Sequence, residues 1–241
     1  MKEIAEKITE ELLLFGLTRQ EAAIYVCLYR SGALNGYEVA KLTGISRSNV
    51  YNALAGLVEK GAAYRMEAAS NKYVAVPVEE MCDNHLRRIT EAKQHLSRSL
   101  VRCREENDGY ITIEGYKHIR DKMNTMLDKV ELRLYLSIPS CYIAQYLPKL
   151  EALSAEHKKV VLLTDKPVEC SDTIQMYISE PKEKQIHLIV DSKYVLTGDY
   201  SENDSDTCLY SGQKNFVNVL KEALRNEIRL TQLGVNKTEE E

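Results

Sequence analysis

Residues 79–106 contain neither glycine nor proline, and apolar side chains recur through them with a fixed beat. Cys82, Leu86, Ile89, Lys93, Leu96, Leu100 and Cys103 stand in alternating steps of four and three. That is a 3.5-residue period with one polar interruption, at Lys93, and it fits the seam of a short coiled coil. An amphipathic helix packed on its own chain has a similar pattern. In either case a rod of about 42 Å divides the chain, and the residues on its two sides follow different patterns. The expected organisation is a first domain over 1–78, a dimerising helix over 79–106, a second domain over 107–233 and a polar tail over 234–241. A chain of 241 residues accommodates two domains of ordinary size.

The first domain reads as four helices and a hairpin. Ile4, Ile8, Leu12 and Leu13 mark a helix over 1–17, closed at Gly16. Thr18 followed by Glu21 is a capping box. It opens a second helix, with Ala22, Ala23, Val26 and Tyr29 or Cys27 inward, running to Gly32. Asn35 can cap a short third helix from Gly36 to Leu42, with Tyr37, Val39 and Ala40 inside. Gly44 breaks it. Ser46 caps a fourth helix from Arg47 to Glu59, whose Val50, Leu54 and Leu57 share one face, and Gly61 ends it. Ala62 to Glu67 and Asn71 to Val76 then read as two short strands around a polar turn, and Pro77 closes the unit.

The second domain alternates strands with helices. Strands are expected at Tyr110–Ile113, Val130–Ile138, Lys159–Leu163, Ile174–Ile178, Gln185–Val190, Tyr194–Thr197 and Cys208–Tyr210. Helices are expected at Tyr116–Lys129, in pieces up to His157, and at Gln213–Gln232. Alternation of this kind implies an α/β domain. The fold class is therefore α+β in the N-terminal winged arrangement and α/β in the C-terminal part.

Helix, turn at Gly44-Ile45-Ser46, helix and hairpin is the order of a winged helix-turn-helix. The second helix of such a pair enters the major groove of duplex DNA and presents its first turns to base edges. Here those turns carry Ser46, Arg47, Ser48, Asn49, Tyr51 and Asn52. Arg can bond guanine bidentately and Asn adenine. The serine hydroxyls and free helix-start amides suit phosphate oxygens. The hairpin offers Ser70, Asn71 and Lys72 at its tip and Arg65 at its base, where a wing meets phosphate or the minor groove.

Whole-chain charge argues the other way, with 32 Lys plus Arg against 36 Asp plus Glu and a net of −4. The acidity is unevenly placed. Residues 1–78 carry 9 basic and 8 acidic side chains, whereas 107–241 carry 17 and 22. The charge objection thus applies mainly to the second domain, and a half-site with few cations predicts modest non-specific affinity.

Other chemistry finds little support. The sequence has no G-x-G-x-x-G, P-loop, H-E-x-x-H or G-x-S-x-G motif. No two of its six cysteines stand in C-x-x-C spacing, and free thiols of a reducing cytosol are expected. The histidines at 85, 95, 118, 157 and 187 are scattered. The acidic run Asp199, Glu202, Asp204 and Asp206 lacks calcium-loop spacing and reads as a solvated loop. No metal or other cofactor is implied. There is no transmembrane run and no secretory leader, so a cytoplasmic location is expected, with no membrane partner.

The wording of residues 11–80 closely resembles the N-terminal domain of TrmB-type transcriptional regulators. Gly16, Leu17, Thr18, Glu21, Ala22, Tyr25, Gly32, Ala40, Gly44, Ile45, Arg47, Val50, Tyr51, Leu54, Leu57 and Gly61 stand at the positions of that family's recurring pattern. The resemblance implies a homodimeric, ligand-responsive regulator that binds double-stranded DNA. It also implies a phospholipase D-like fold for the second domain. Active members of that superfamily carry H-x-K ahead of an Asp. Counting back from Asp191, those positions here hold Lys184 and Ile186, and His187 has no Lys two residues on. A fold kept without its chemistry is the expectation, so no enzyme, with His187 packed or on the surface. The family's separate sugar-binding domain finds no room after the second domain, so sugar sensing is not expected to carry over. A phosphodiesterase with a DNA-binding arm and a winged-helix protein adaptor are the alternatives.

Overall fold

The computed structural model describes residues 2–67, 71–100, 109–180 and 183–233. It divides into two compact units, residues 1–102 and 103–241, each with its own core.

Unit 1 begins with α1 (Lys2–Leu14) and α2 (Arg19–Ser31), followed by the two-residue strand β1 (Leu34–Asn35). The helix pair α3 (Gly36–Thr43) and α4 (Arg47–Glu59) comes next, then β2 (Ala63–Met66), β3 (Lys72–Ala75) and the long α5 (Val78–Ser99). Side-chain caps start three of these helices. Thr18 and Glu21 form a reciprocal capping box on α2, and Asn35 and Glu38 form another on α3. The Ser46 hydroxyl accepts the Asn49 amide at the start of α4. Gly44, at φ +72°, ends α3 in the left-handed conformation that a side chain resists, and this makes the sharp turn into α4. The small sheet has the order β1-β3-β2, all antiparallel. β1 was not anticipated, because two residues are too few to show a period.

The unit 1 core is built from Ile24, Tyr25 and Leu28 of α2, Val39 of α3, Val50, Leu54 and Leu57 of α4, and Met81 of α5. The Tyr25 hydroxyl donates to the Val76 carbonyl at 2.8 Å and so pins the end of the wing to α2. Two inward assignments are corrected. Ala23 is exposed, and the buried stripe of α2 is instead Glu21, Ala22, Ile24, Tyr25 and Leu28, displaced because the Glu21 carboxylate is drawn inward. Tyr37 is 53% exposed, since the core side of the eight-residue α3 is taken by Gly36 and Val39, with Ala40 packed at its edge. Of the two alternatives for the far end of α2, Tyr29 points outward and Cys27 is half-buried.

The rod is also shorter than its sequence suggested. α5 stops at Ser99, and Leu100 is extended (φ −95°, ψ 97°). Residues 101–108, including Cys103, lie outside the described residues, as do 68–70 and the tail 234–241. Beyond Arg88 every described residue of α5 is exposed. A helix without tertiary packing has little besides its own propensity to sustain it.

Unit 2 contains β4 (Tyr110–Glu114), α6 (Tyr116–Leu127), β5 (Arg133–Ser137), α7 (Ser140–Ile143), α8 (Leu147–Ala155) and β6 (Lys159–Thr164). It continues with β7 (Gln175–Ile178), β8 (Gln185–Val190), β9 (Tyr194–Asp199), β10 (Thr207–Ser211) and α9 (Lys214–Gln232). The seven strands form one sheet in the order β4-β10-β9-β8-β5-β6-β7. β5, β6 and β7 are parallel and the other pairings antiparallel. One face packs on α6 and α8 through Ile119, Met123, Leu134, Leu136, Leu150, Leu162 and Leu188. The other face carries Val161, Leu163, Ile189 and Val195 beneath Val217 and Leu224 of α9. Alternate residues of one strand thus serve two cores, which is why these strands read as nearly continuous apolar runs.

Candidate nucleic-acid interface

The exposed surface at the start of α4 follows from how that helix is buried. Val50, Ala53, Leu54 and Leu57 take the inner face, so Ser46, Arg47, Ser48, Asn49, Tyr51 and Asn52 all stand exposed. The spacing that builds the core therefore also selects the surface. Arg65 and Asn71 are exposed and Lys72 is half-buried, whereas Ser70 lies outside the described residues.

Two residues that sequence reasoning did not place in the site shape it. The Arg47 guanidinium carbon sits 4.7 Å from the centre of the Tyr37 ring. This cation–π contact holds the arginine against α3. Gly36 lies beneath Tyr51, and a Cβ built there would be 2.7 Å from the ring carbon Cε1. The side chain of Tyr51 therefore rests on bare backbone. The signal for Tyr37 was its exposure on a helix too short to bury it, and that is visible only after α3 and α4 cross.

The start of α2 is held to the end of α4 by a buried carboxylate. Glu21 is 5% exposed and accepts the Thr18 amide at 2.6 Å. The Lys60 ammonium meets it at 2.6 Å and donates also to the Gly16 carbonyl at 2.9 Å. Burial alone would push the Glu21 carboxyl upward. Lys60 and the Thr18 amide outweigh that, and it titrates below the ordinary glutamate range. The stability this group contributes is complete above the usual glutamate range and is lost as pH falls through the lowered folded value.

Gly56 makes room for this carboxylate. A Cβ at 56 would overlap Glu21 Oε1 and lie 3.4 Å from its Cδ. Gly56→Ala separates two effects of opposite sign. Helix propensity alone would stabilise α4 by about 1 kcal/mol. Displacing Glu21 should instead cost about 2 kcal/mol, in the range of overpacked interiors. Chemical denaturation should show a net loss, and a gain would mean that Glu21 moves aside freely.

On α5, Met81 is buried and Cys82 packs at the edge of the unit 1 core. Leu86, Ile89 and Leu96 are each more than half exposed, Leu100 is 71% exposed and Lys93 is exposed. The lower part of the seam thus belongs to the winged unit. Its upper part lies bare among the described residues.

In unit 2 the residues at the phospholipase positions serve the fold. Ile186 is fully buried in the core and Lys184 is exposed. His187 is half-buried, with Nδ1 2.6 Å from the Thr197 hydroxyl across the β8–β9 ladder. The Asp191 carboxylate accepts the amides of Glu131, Leu132 and Arg133 at 2.8–2.9 Å. Its burial would raise its pKa, and those three amides instead hold it below the ordinary aspartate range. In the acidic loop, Asp206 is 3% exposed and accepts from the Ser201 amide and hydroxyl and from the Asn203 amide. These carboxylates organise turns.

Residues 12–79 match the family model described as "Sugar-specific transcriptional regulator TrmB". The chain is 24% identical over 143 residues to the HTH-type sugar sensing transcriptional regulator TrmBL1 of Pyrococcus furiosus, covering 56% of this chain and 41% of that protein. The chain spans half or less of the length of the curated relatives it matches first. Among solved structures, TrmBL2, an archaeal chromatin protein, aligns with a TM-score of 0.44 at 18% identity, over 92% of this chain and 97% of that one. NucT from Helicobacter pylori aligns with a TM-score of 0.41 at 12% identity, over 50% of this chain and 96% of that one. The capped helices, the wing and the sequence match coincide: the stretch that matches the TrmB family model, residues 12–79, is a winged helix-turn-helix.

Proposed function

We propose that this protein is a cytoplasmic, homodimeric, sequence-specific DNA-binding transcriptional regulator of the TrmB type, without catalytic activity. The observation that carries this is the start of α4, its cap and first two turns: six polar or aromatic side chains exposed together, with Arg47 steadied over Tyr37. Each protomer presents one such helix to a half-site. Pairing through the bare α5 seam sets the half-site separation, expected near one duplex turn of about 34 Å or a multiple of it. The second unit acts as the regulatory part, where an effector biases the geometry of the pair.

The absence of H-x-K supports a non-enzymatic second unit, because the position of the phosphate-stabilising lysine is occupied by the core residue Ile186. A hydrolysis assay on a phosphodiester substrate tests this, and turnover would return the phosphodiesterase alternative.

The DNA reading is tested by gel shift on the region upstream of the protein's own gene. Arg47→Ala should weaken specific binding by about 1–3 kcal/mol, and Lys72→Ala should mainly lower the salt slope by about one. If both variants bind specific DNA like the wild type, the assignment of α4 and the wing fails. If the wild type binds no DNA, the adaptor reading takes its place. Operator affinity measured with and without candidate metabolites tests the regulatory part.

A further inference from the structure

The face of the unit 2 sheet under α9 is incompletely covered, and what lines the opening is cationic. A single row of residues runs across four neighbouring strands in register: Gln175 of β7 opposite Val161 of β6, Val161 opposite Tyr135 of β5, and Tyr135 opposite Ile189 of β8. This row is the floor of a groove of about 300 Å³. One wall is α9, which contributes Leu224 and Ile228 low down and Lys221, Arg225 and Arg229 at the rim. Lys159 and Tyr177, each two residues along from the floor row, complete it on the sheet side.

Helix spacing explains the rim. Lys221, Arg225 and Arg229 are successive i, i+4 positions, so they form one stripe about 12 Å long. A helix that simply sealed this seam would carry apolar residues there. Here four cations surround the opening and no carboxylate lines it. Arg225 is bridged to Glu222 at 2.7 Å, but no described residue forms an ion pair with Lys159, Lys221 or Arg229. The unit that holds this cluster belongs to the acidic part of the chain, where 17 basic residues face 22 acidic ones over 107–241. Four cations gathered in one cleft of such a unit focus positive potential on it. The polar groups around them are two tyrosine hydroxyls and two carboxamides, with Gln232 Nε2 donating to the Tyr177 hydroxyl at 3.5 Å.

We propose that this groove binds a phosphorylated small molecule. Its phosphate lies among Lys159, Lys221 and Arg229, and its organic body rests on Tyr135, Tyr177 and the apolar floor. The combination of an apolar base with convergent charged groups is what a small-ligand site requires, and guanidinium and ammonium groups are the natural partners of a phosphate. The groove is separate from the phospholipase positions, because Ile186 belongs to the core on the opposite face of the sheet. The inference deepens the reading of unit 2 as the regulatory part. Its test uses no DNA, so its failure is distinct from failure of operator binding.

The experiment is calorimetric titration of the full chain with phenyl phosphate and AMP, alongside phenol and adenosine as phosphate-free counterparts, and with inorganic phosphate alone. At least one ester should bind tenfold or more tightly than its phosphate-free counterpart and more tightly than inorganic phosphate. The double variant Lys221→Gln/Arg229→Gln should weaken that ester at least tenfold, which is about 1.4 kcal/mol. Lys193→Gln, at a cation already paired with Glu131 elsewhere on the unit, should leave it unchanged. All three rim lysines and arginines are replaceable at or near the surface, and Lys159→Gln carries the same expectation if the double variant does not fold. Absence of binding by every ester up to about 10 mM, equal binding of esters and phosphate-free compounds, or retention of affinity in the folded variants would overturn the proposal. A tenfold loss of operator affinity in the double variant without ester present would assign the groove to the DNA backbone and overturn it as well.

Discussion

Gly198→Ala should unfold unit 2. Gly198 sits in β9 directly opposite Cys208 of β10, at φ +153°, a conformation that L residues rarely adopt. A Cβ there would overlap the Thr207 carbonyl oxygen and stand 2.7 Å from the Cys208 Cα. Both obstacles are backbone, so no side chain can rotate away. Relief requires opening the β9–β10 ladder, and β10 also carries the edge strand β4. The expected loss is about 4 kcal/mol or more, which places it among the exceptional single substitutions and approaches the whole stability of a typical domain. Hydrogen exchange checks it. Amides of 109–180 and 183–233 should lose protection, while those of α2 and α4 keep theirs. Wild-type protection in β9 and β10 would show that the ladder accommodates a methyl group.

The second large effect concerns assembly. Leu86→Ser, Ile89→Ser and Leu96→Ser combined should convert the protein from dimer to monomer and leave unit 1 folded. Each of these side chains is already more than half exposed, so removing it takes little from the core of its own chain. Their loss matters only if a second copy covers them. Simultaneous engagement of two half-sites typically contributes a factor of about 100 to 10,000 in apparent affinity, and operator binding should fall by about that much. Sedimentation gives the oligomeric state and gel shift gives the affinity. A monomeric wild type, or a variant that remains dimeric, would sink the assignment of α5 as the dimer seam.

Much of unit 1 was legible because its signals are local. The capping box at Thr18–Glu21, the caps at Asn35 and Ser46, the helix-breaking Gly44 and the Val50-Leu54-Leu57 stripe are short-range features, and each element they mark is present. The exposed residues of α4 were legible for the same reason, as the complement of its buried face. Other features depend on elements far apart in the chain. Ile186 looked only like a missing lysine until the sheet placed it in the core. Tyr37 looked buried because a tyrosine on a short helix carries no mark of which way it faces. Arg47, ten residues later and across a turn, gives it a reason to face out. Glu21 read as a cap, and its second task, gripping Lys60 across 39 residues of chain, has no sequence period. The basic rim of α9 was present in the sequence as Lys221, Arg225 and Arg229, but its floor is a row drawn from four strands whose order in the sheet, β8-β5-β6-β7, is not their order in the chain.

The seam in residues 79–106 shows the same division. Sequence alone determined that a helix begins near residue 78 and that apolar residues recur on one of its faces, because period and the absence of breakers are properties of neighbouring residues. Only the tertiary structure decided where the seam is already occupied and where it is bare. Met81 and Cys82 pack with the unit 1 core, Arg88 reaches the Lys60 carbonyl at 2.9 Å, and the residues above them are exposed up to Ser99, where the helix stops. The physical reason is that periodicity specifies a face, whereas burial of that face is a fact about whatever distant surface comes to cover it.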